Sequence, residues 1–452
     1  MALGISLHFI YRLAVLGFMA TVYLAAADAF LRGNIRRLIL CVILSWGLEP
    51  FSPVPNFVFY TDSQGIRNGF GVTSALLAVA FVALMLVDSA FVARFFRTPI
   101  FLAFYVLFAC AALTQMWYLG FLPGLGLTYD RVLQPMMVVV LLAYLARDGE
   151  KVRSVYLCLV GAVTTAIVLR YAAGVALGGG VMSTTVSNAA GIPRVSAIGS
   201  WTIYGTICAS MIPIVIALLA TERVSLNRVV LIVVTLLLVK EVMATGTRGA
   251  IVGFSAVLLF SIRRRARRWM LACVAIALVA ALALNYHAAF SGSRTLSLNI
   301  NALLNQPNTQ VRFERNLAAV HYISAHPFSG SALGVSHWVQ GQEIGTWVYN
   351  PYLAWGAAMG LPALLAFAAI VVLTIAYTVG NWRASSGSYK TLQVGVAAAL
   401  VVWLINQFTT GDSLTYLQSV NASFFFYALV GIALGSHMNR FQPQPATQRR
   451  GA

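Results

Sequence analysis

Residues 351–379 read PYLAWGAAMGLPALLAFAAIVVLTIAYTV, a stretch without one charged side chain. About 20 consecutive apolar residues suffice for a helix to cross the roughly 30 Å hydrocarbon core of a bilayer. The run is continuously apolar, with none of the alternation of a transmembrane β-strand, which excludes a β-barrel. Working outward, comparable runs recur near 6–31, 36–51, 69–88, 98–118, 131–147, 153–176, 199–220, 227–244, 249–262, 269–286, 391–409 and 417–436. The sequence therefore predicts an all-α polytopic transmembrane bundle of twelve or thirteen helices. Composition agrees: 60% of the 452 residues are hydrophobic and 9% are charged, against about 25% charged in a soluble domain. The first run, Leu13 to Ala27, lacks a clear small-x-small cleavage site and reads as a retained helix.

The net charge of +18 does not point to nucleic acid, because of where it sits. Arg32, Arg36 and Arg37, then Arg94 and Arg97, Arg147, Lys151 and Arg153, Arg223 and Arg228, the run Arg263–Arg268, Arg383 and Lys390, and Arg440, Arg449 and Arg450 occupy every second loop. Positively charged short loops stay cytoplasmic. The opposite face then holds 52–68, 119–130, 177–198, 245–248, 287–350 and 410–416. The organisation expected is a first helical block (1–286), one long outer loop containing short helices (287–350), a second helical block (351–436) and a cytoplasmic tail (437–452). The five cysteines, Cys41, Cys110, Cys158, Cys208 and Cys273, each fall inside an apolar run without a CxxC pair. They read as small core residues rather than disulfide partners or metal ligands.

The loop 287–350 is long enough to expect a function for it. Val311 to Ala325 reads as an amphipathic helix stopped by His326-Pro327. Ser329 to Gly334 follows as a flexible turn, and four of the six histidines (His287, His321, His326, His337) lie in this loop.

The outer face is rich in arginine and without lysine: Arg67, Arg131, Arg194, Arg248, Arg294, Arg312 and Arg315. Guanidinium groups grip phosphate oxygens bidentately, which an ammonium does not. Arg248 stands in Thr245-Gly246-Thr247-Arg248-Gly249, a tight turn where an anion would meet a guanidinium, hydroxyls and helix N-terminal amides together. An interfacial arginine snorkelling to water is the alternative. Arg131 reads as opening a helix at the outer surface, and Arg194 as following Pro193 in a loop. Arg312 and Arg315 share a face of the loop helix. Acidic residues on this face (Glu49, Asp62, Asp130, Glu314, Glu343, Asp412) are scattered, so neither a metal site nor a cofactor site is expected. Lys240-Glu241 lies near the outer end of a helix, marking either a transport path or a local interfacial role.

These residues carry a resemblance. Thr245-Gly246-Thr247-Arg248-Gly249 is similar to the Thr-x-Ser-Arg-Gly turn of the O-antigen ligase family, which is related to O-antigen polymerases and O-oligosaccharyltransferases. Arg312-Phe313 through His326-Pro327-Phe328-x-Gly330 and Leu333-Gly334 resembles its loop helix and glycine turn. Asn350-Pro351-Tyr352-Leu353, then Gly360-Leu361-Pro362, resembles its His-Asn-x-x-Leu element. The likeness is specific over about 245–362. It departs at Tyr349, which stands where the family often has histidine.

The resemblance implies a glycosyltransferase in a bacterial inner membrane, with its active site facing the periplasm. The donor would be a glycan on undecaprenyl pyrophosphate and the acceptor a sugar hydroxyl of lipid A-core. Transfer would be inverting and metal-independent, with His337 as general base and Arg248 binding pyrophosphate. Arg131, Arg194, Arg312, Arg315, Tyr349 and Asn350 would contact substrate. Polymerase and protein-glycosylating relatives differ in acceptor. A transporter of lipid-linked glycan or another anion is the alternative of another class, although no internal repeat is visible.

Overall fold

The computed structural model describes residues 2–52, 57–61, 67–149, 151–176, 201–245, 307–330, 337–339, 342–344, 350–409 and 420–439. The helices are α1 (Ala2–Leu31), α2 (Ile35–Leu48), α3 (Val72–Val87), α4 (Ser89–Phe95), α5 (Pro99–Leu119), α6 (Phe121–Thr128), α7 (Gln134–Ala146), α8 (Val152–Ala176), α9 (Trp201–Thr221), α10 (Ser225–Thr245), α11 (Pro307–Ala325), α12 (Pro351–Met359), α13 (Leu361–Ala384), α14 (Gly387–Thr409) and α15 (Val420–Asn439). Two small antiparallel hairpins accompany them: β1 (Phe57–Thr61) with β2 (Arg67–Phe70), and β3 (His337–Val339) with β4 (Gln342–Ile344). Seven helices among the described residues are long and apolar enough to cross a membrane, or eight if the bent pair α3–α4 is one span. The chain is thus an all-α polytopic membrane protein. The predicted helices 249–262 and 269–286 lie outside the described residues.

Lipid tails give apolar helices no hydrophobic reason to associate, so close packing of small residues holds such bundles together. Gly431 and Gly435 of α15 do this against α7: a Cβ on Gly435 would come within 2.2 Å of the Ala143 carbonyl oxygen, and one on Gly431 within 2.7 Å of that of Val139. Gly47 of α2 lies equally close to Ala162 of α8. Stacked rings fill the space beside them, with Trp403 on Phe426 at 3.9 Å and Trp46 on Phe424 at 4.8 Å.

The basic loops gather at one end. Arg147 pairs with Asp88 at 2.7 Å, Lys151 with Asp148 at 2.6 Å, Arg37 with Asp28 at 2.9 Å, and Arg153 with Glu222. The Val224 amide, working against the cost of burial, together with the Arg223 amide and Arg153, holds the Glu222 carboxyl below its ordinary range. Gly149 lies against Tyr389 and Asn439, bringing the start of α14 and the end of α15 to this face. Helices α8, α10 and α13 therefore end, end and begin, respectively, at the opposite side.

Three boundaries differ from the sequence reading. Residues 121–130 are not an outer loop. Gly120, at φ 84°, turns the chain so that α6 folds straight back on α5, and 121–146 form one helical run. Pro123 is tolerated because it falls in the first turn, where amides have no helical partner. The stretch 351–379 is not one helix either. Gly360, at φ 85°, separates α12 from α13. The segment read as 69–88 begins only at Val72, after β2, and ends at Asp88 as expected, where α4 turns away by 108°.

Candidate functional site

Among the described residues, two buried polar clusters lie toward the end opposite the basic loops. The first joins α8, α9 and α10. Arg170 stands seventeen residues beyond Arg153 on α8, roughly 26 Å along a helix at 1.5 Å per residue. Its Nη2 lies 2.7 Å from both carboxylate oxygens of Glu241. The Tyr204 hydroxyl donates to the same carboxylate at 2.8 Å, and the Tyr171 hydroxyl donates as well. The Tyr171 ring carries Arg170 and Lys240, each cation 4.4 Å from its centroid. Arg170 is 9% exposed and Glu241 fully buried. A buried ion pair survives only when further hydrogen bonds satisfy its remaining lone pairs, and the two tyrosines supply them. The cluster carries one net positive charge and ends four residues before Thr245, the first residue of the Arg248 turn.

The second cluster joins α2, α3, α5 and the α6–α7 run. Glu49 accepts from the Thr73 amide at 3.0 Å and from its hydroxyl, while Ser45 and Thr73 share a hydrogen bond of 2.9 Å. Ser74 donates to Gln134 at 2.9 Å, and Thr128 to Gln115 at 3.0 Å. Between α6 and α7 the helix widens into a π-turn, Tyr129–Leu133. Such turns insert a residue, re-aim side chains and recur at functional sites. Asp130 and Arg131 sit on it, both buried.

The expectation that Arg131 opens a helix at the surface is corrected here. It stands ten residues inside the run, roughly 15 Å from its start. Arg315 is half-buried on α11, and Arg312 lies on the same helix with its side chain outside the described residues. His337 is on β3, opposite Ile344 of β4, and its side chain is likewise outside. Arg194, Arg248 and Tyr349 fall outside the described residues. Asn350 caps α12: its Oδ1 accepts from the Tyr352 amide at 2.9 Å and the Leu353 amide at 3.3 Å. That oxygen is committed to the helix rather than to a substrate. Arg131, Arg315 and Asn350 stand on three separate elements.

Two of the motif elements interlock. Ala319 and Ile323 of α11 pack on Ala354 and Ala357 of α12. The Leu361 amide donates to the Pro327 carbonyl at 2.6 Å, and the Tyr322 hydroxyl to Gly330 at 3.3 Å. A Cβ on Gly330 would meet the Ala358 carbonyl at 2.3 Å, and one on Gly360 the Pro327 carbonyl at 2.8 Å. The glycines are needed because two backbones touch.

Arg170, Tyr171 and Tyr204 are absent from the sequence reading. The available signal was Arg170 itself, a lone charge among apolar residues from Ser154 to Ala176. Comparison with protein-family models and with curated proteins gives no match to this chain.

Proposed function

We propose that this protein is a glycosyltransferase of the O-antigen ligase kind. It moves a glycan from undecaprenyl pyrophosphate to a sugar hydroxyl of lipid A-core, at the periplasmic face of a bacterial inner membrane. The observation that carries the reading is the interlock of His326–Gly330 with Gly356–Leu361. Two stretches singled out for resemblance, separated in sequence, form one packed unit. The third, Thr245 to Gly249, follows α10 in sequence, and near the end of that helix Lys240, with Arg170 of α8, outnumbers Glu241 in charge.

In this reading the acceptor oxygen attacks the anomeric carbon as the bond to pyrophosphate breaks. The acceptor proton passes to His337, and the lipid pyrophosphate leaves against Arg248. Guanidinium groups keep their charge at any physiological pH and so replace a divalent cation in stabilising the leaving group. Arg194, Arg312, Arg315 and Tyr349 would contact substrate, as the resemblance implies. Attack opposite the leaving group inverts the anomeric centre.

A second reading, transport of a lipid-linked glycan or another anion, is favoured by the depth of Asp130 and Arg131, since charge inside a membrane marks translocation paths. One experiment separates these readings. Purified protein is incubated with undecaprenyl-pyrophosphate glycan and with lipid A-core, free glycan or acceptor protein in turn. Glycan on lipid A-core supports the ligase. Product on another acceptor alone reassigns it within the family. No product with any acceptor, together with movement of the donor across vesicles, overturns glycosyl transfer.

A further inference from the structure

Helix α11 has three faces, and only two have an evident use. At about 100° per residue, Ala319 and Ile323 define the face that packs on α12. Exposed Glu314 and His321 define a polar face. The remaining face carries Phe313, Leu317 and Val320, spaced four and three apart and confined to a stripe roughly 60° wide. These side chains are 69%, 47% and 46% exposed, and Phe328, beyond the helix, is 79% exposed. Exposed apolar stripes of this kind mark an interaction surface.

The position of α13 says what covers it. Its 24 residues span roughly 36 Å, more than the roughly 30 Å hydrocarbon core needs. Its C-terminal end reaches the basic face through Asn381, which donates to Ala433 of α15, six residues before Asn439. Its first residue, Leu361, therefore stands at the opposite edge of the bilayer. Phe328 belongs to the turn bonded to Leu361. Leu361 and Leu365 are exposed on α13, an apolar face turned to lipid at that edge. The outer end of α13 and exposed Phe328 in the turn bonded to it thus place apolar side chains at the bilayer edge, directly after the helix that carries the stripe.

We infer that α11 is an interfacial helix, seated on the membrane with Phe313, Leu317, Val320 and Phe328 in the headgroup–acyl boundary of the adjacent leaflet. Amphipathic helices of low overall hydrophobicity with aromatic and leucine side chains on one face lie about 5–10 Å into that boundary. The inference does not depend on the glycosyl-transfer reading, because it concerns the surface of the helix and not its chemistry.

The test uses the full-length protein in a cysteine-free background, reconstituted in phosphatidylcholine vesicles. An environment-sensitive fluorophore is attached at Leu317→Cys, Val320→Cys or, as a control on the polar face, His321→Cys. Quenching by iodide should be several-fold weaker at 317 and 320 than at 321. Lipids brominated near the glycerol backbone should quench 317 and 320 and leave 321 bright. Equal iodide quenching at all three sites overturns the inference. So does shielding of 317 and 320 from both quenchers, which would place protein over the stripe. Two stripe positions are used so that poor folding of one variant does not remove the readout.

Discussion

At the basic face Lys151 reaches Asp148 at 2.6 Å with about half of its side chain in water, whereas Arg170 meets Glu241 at 2.7 Å with almost none of either exposed. The distances are alike and the physics is not. Water screens the first pair and hydrates each partner if the other is lost. The second has no such refuge, so each charge depends on its partner and on the two tyrosines. Charges at the basic face orient the protein through their number and side. Charges toward the other end are held in defined geometry, which is what a site for a charged substrate requires. Similarity in contact distance says little about what a pair is for; burial decides.

The most damaging way to probe this contrast is to orphan one buried charge. Glu241→Leu leaves Arg170 unpaired and should cost about 3–5 kcal/mol, seen as a large fall in thermal stability in detergent. Arg170→Met combined with Glu241→Leu should recover most of that loss, because an apolar pair needs no partner. If the double variant is as unstable as the single one, the pair is not what the buried cluster depends on.

Next in size is the removal of the base. His337→Ala should lower transfer to lipid A-core by roughly 10²-fold, the usual scale for a lost acid–base group, at unchanged protein level. Near-normal transfer, with His326→Ala inactive instead, would move the base along the loop.

Arg248→Lys keeps a positive charge but loses the planar fork. A charge-assisted hydrogen bond is worth roughly 1.5–3 kcal/mol, so transfer should drop on the order of tenfold. Full activity of both Arg248→Lys and Arg248→Ala would detach the turn from pyrophosphate binding and leave the buried cluster without its supposed neighbour in function.

The smallest effect belongs to the other side of the comparison. Lys151→Ala breaks a surface pair and should change stability by less than about 1 kcal/mol, with transfer unaltered. A loss as large as that of Glu241→Leu would mean that the two faces do not differ as described.

Much of the fold was legible because lipid and water select residues so differently. Apolar length located the spans of α5, α8, α9 and α14, and the alternation of basic loops anticipated their meeting at one end. Val311 to Ala325 showed its period and its stop at His326-Pro327, and α11 ends at Ala325. The site was less legible. Glycine and proline in 119–130 and an unbroken apolar run at 351–379 give the wrong local message when read alone. The first is helix because Gly120 turns it onto α5, and the second is broken because Gly360 must admit the Pro327 carbonyl.

What the amino-acid order determined by itself was the solvent each segment prefers, and with it the membrane class, the helical state and the clustering of the basic loops. Only the tertiary structure decided which buried polar groups meet. Arg170 and Glu241 are 71 residues apart, and the depth of Arg131 depends on where the chain turns back at Gly120. The reason is physical. Transfer between lipid and water is a sum over single residues and can be read along a chain. Satisfying a buried charge is a pairwise matter of a few ångströms, and those pairs exist only after the helices have packed.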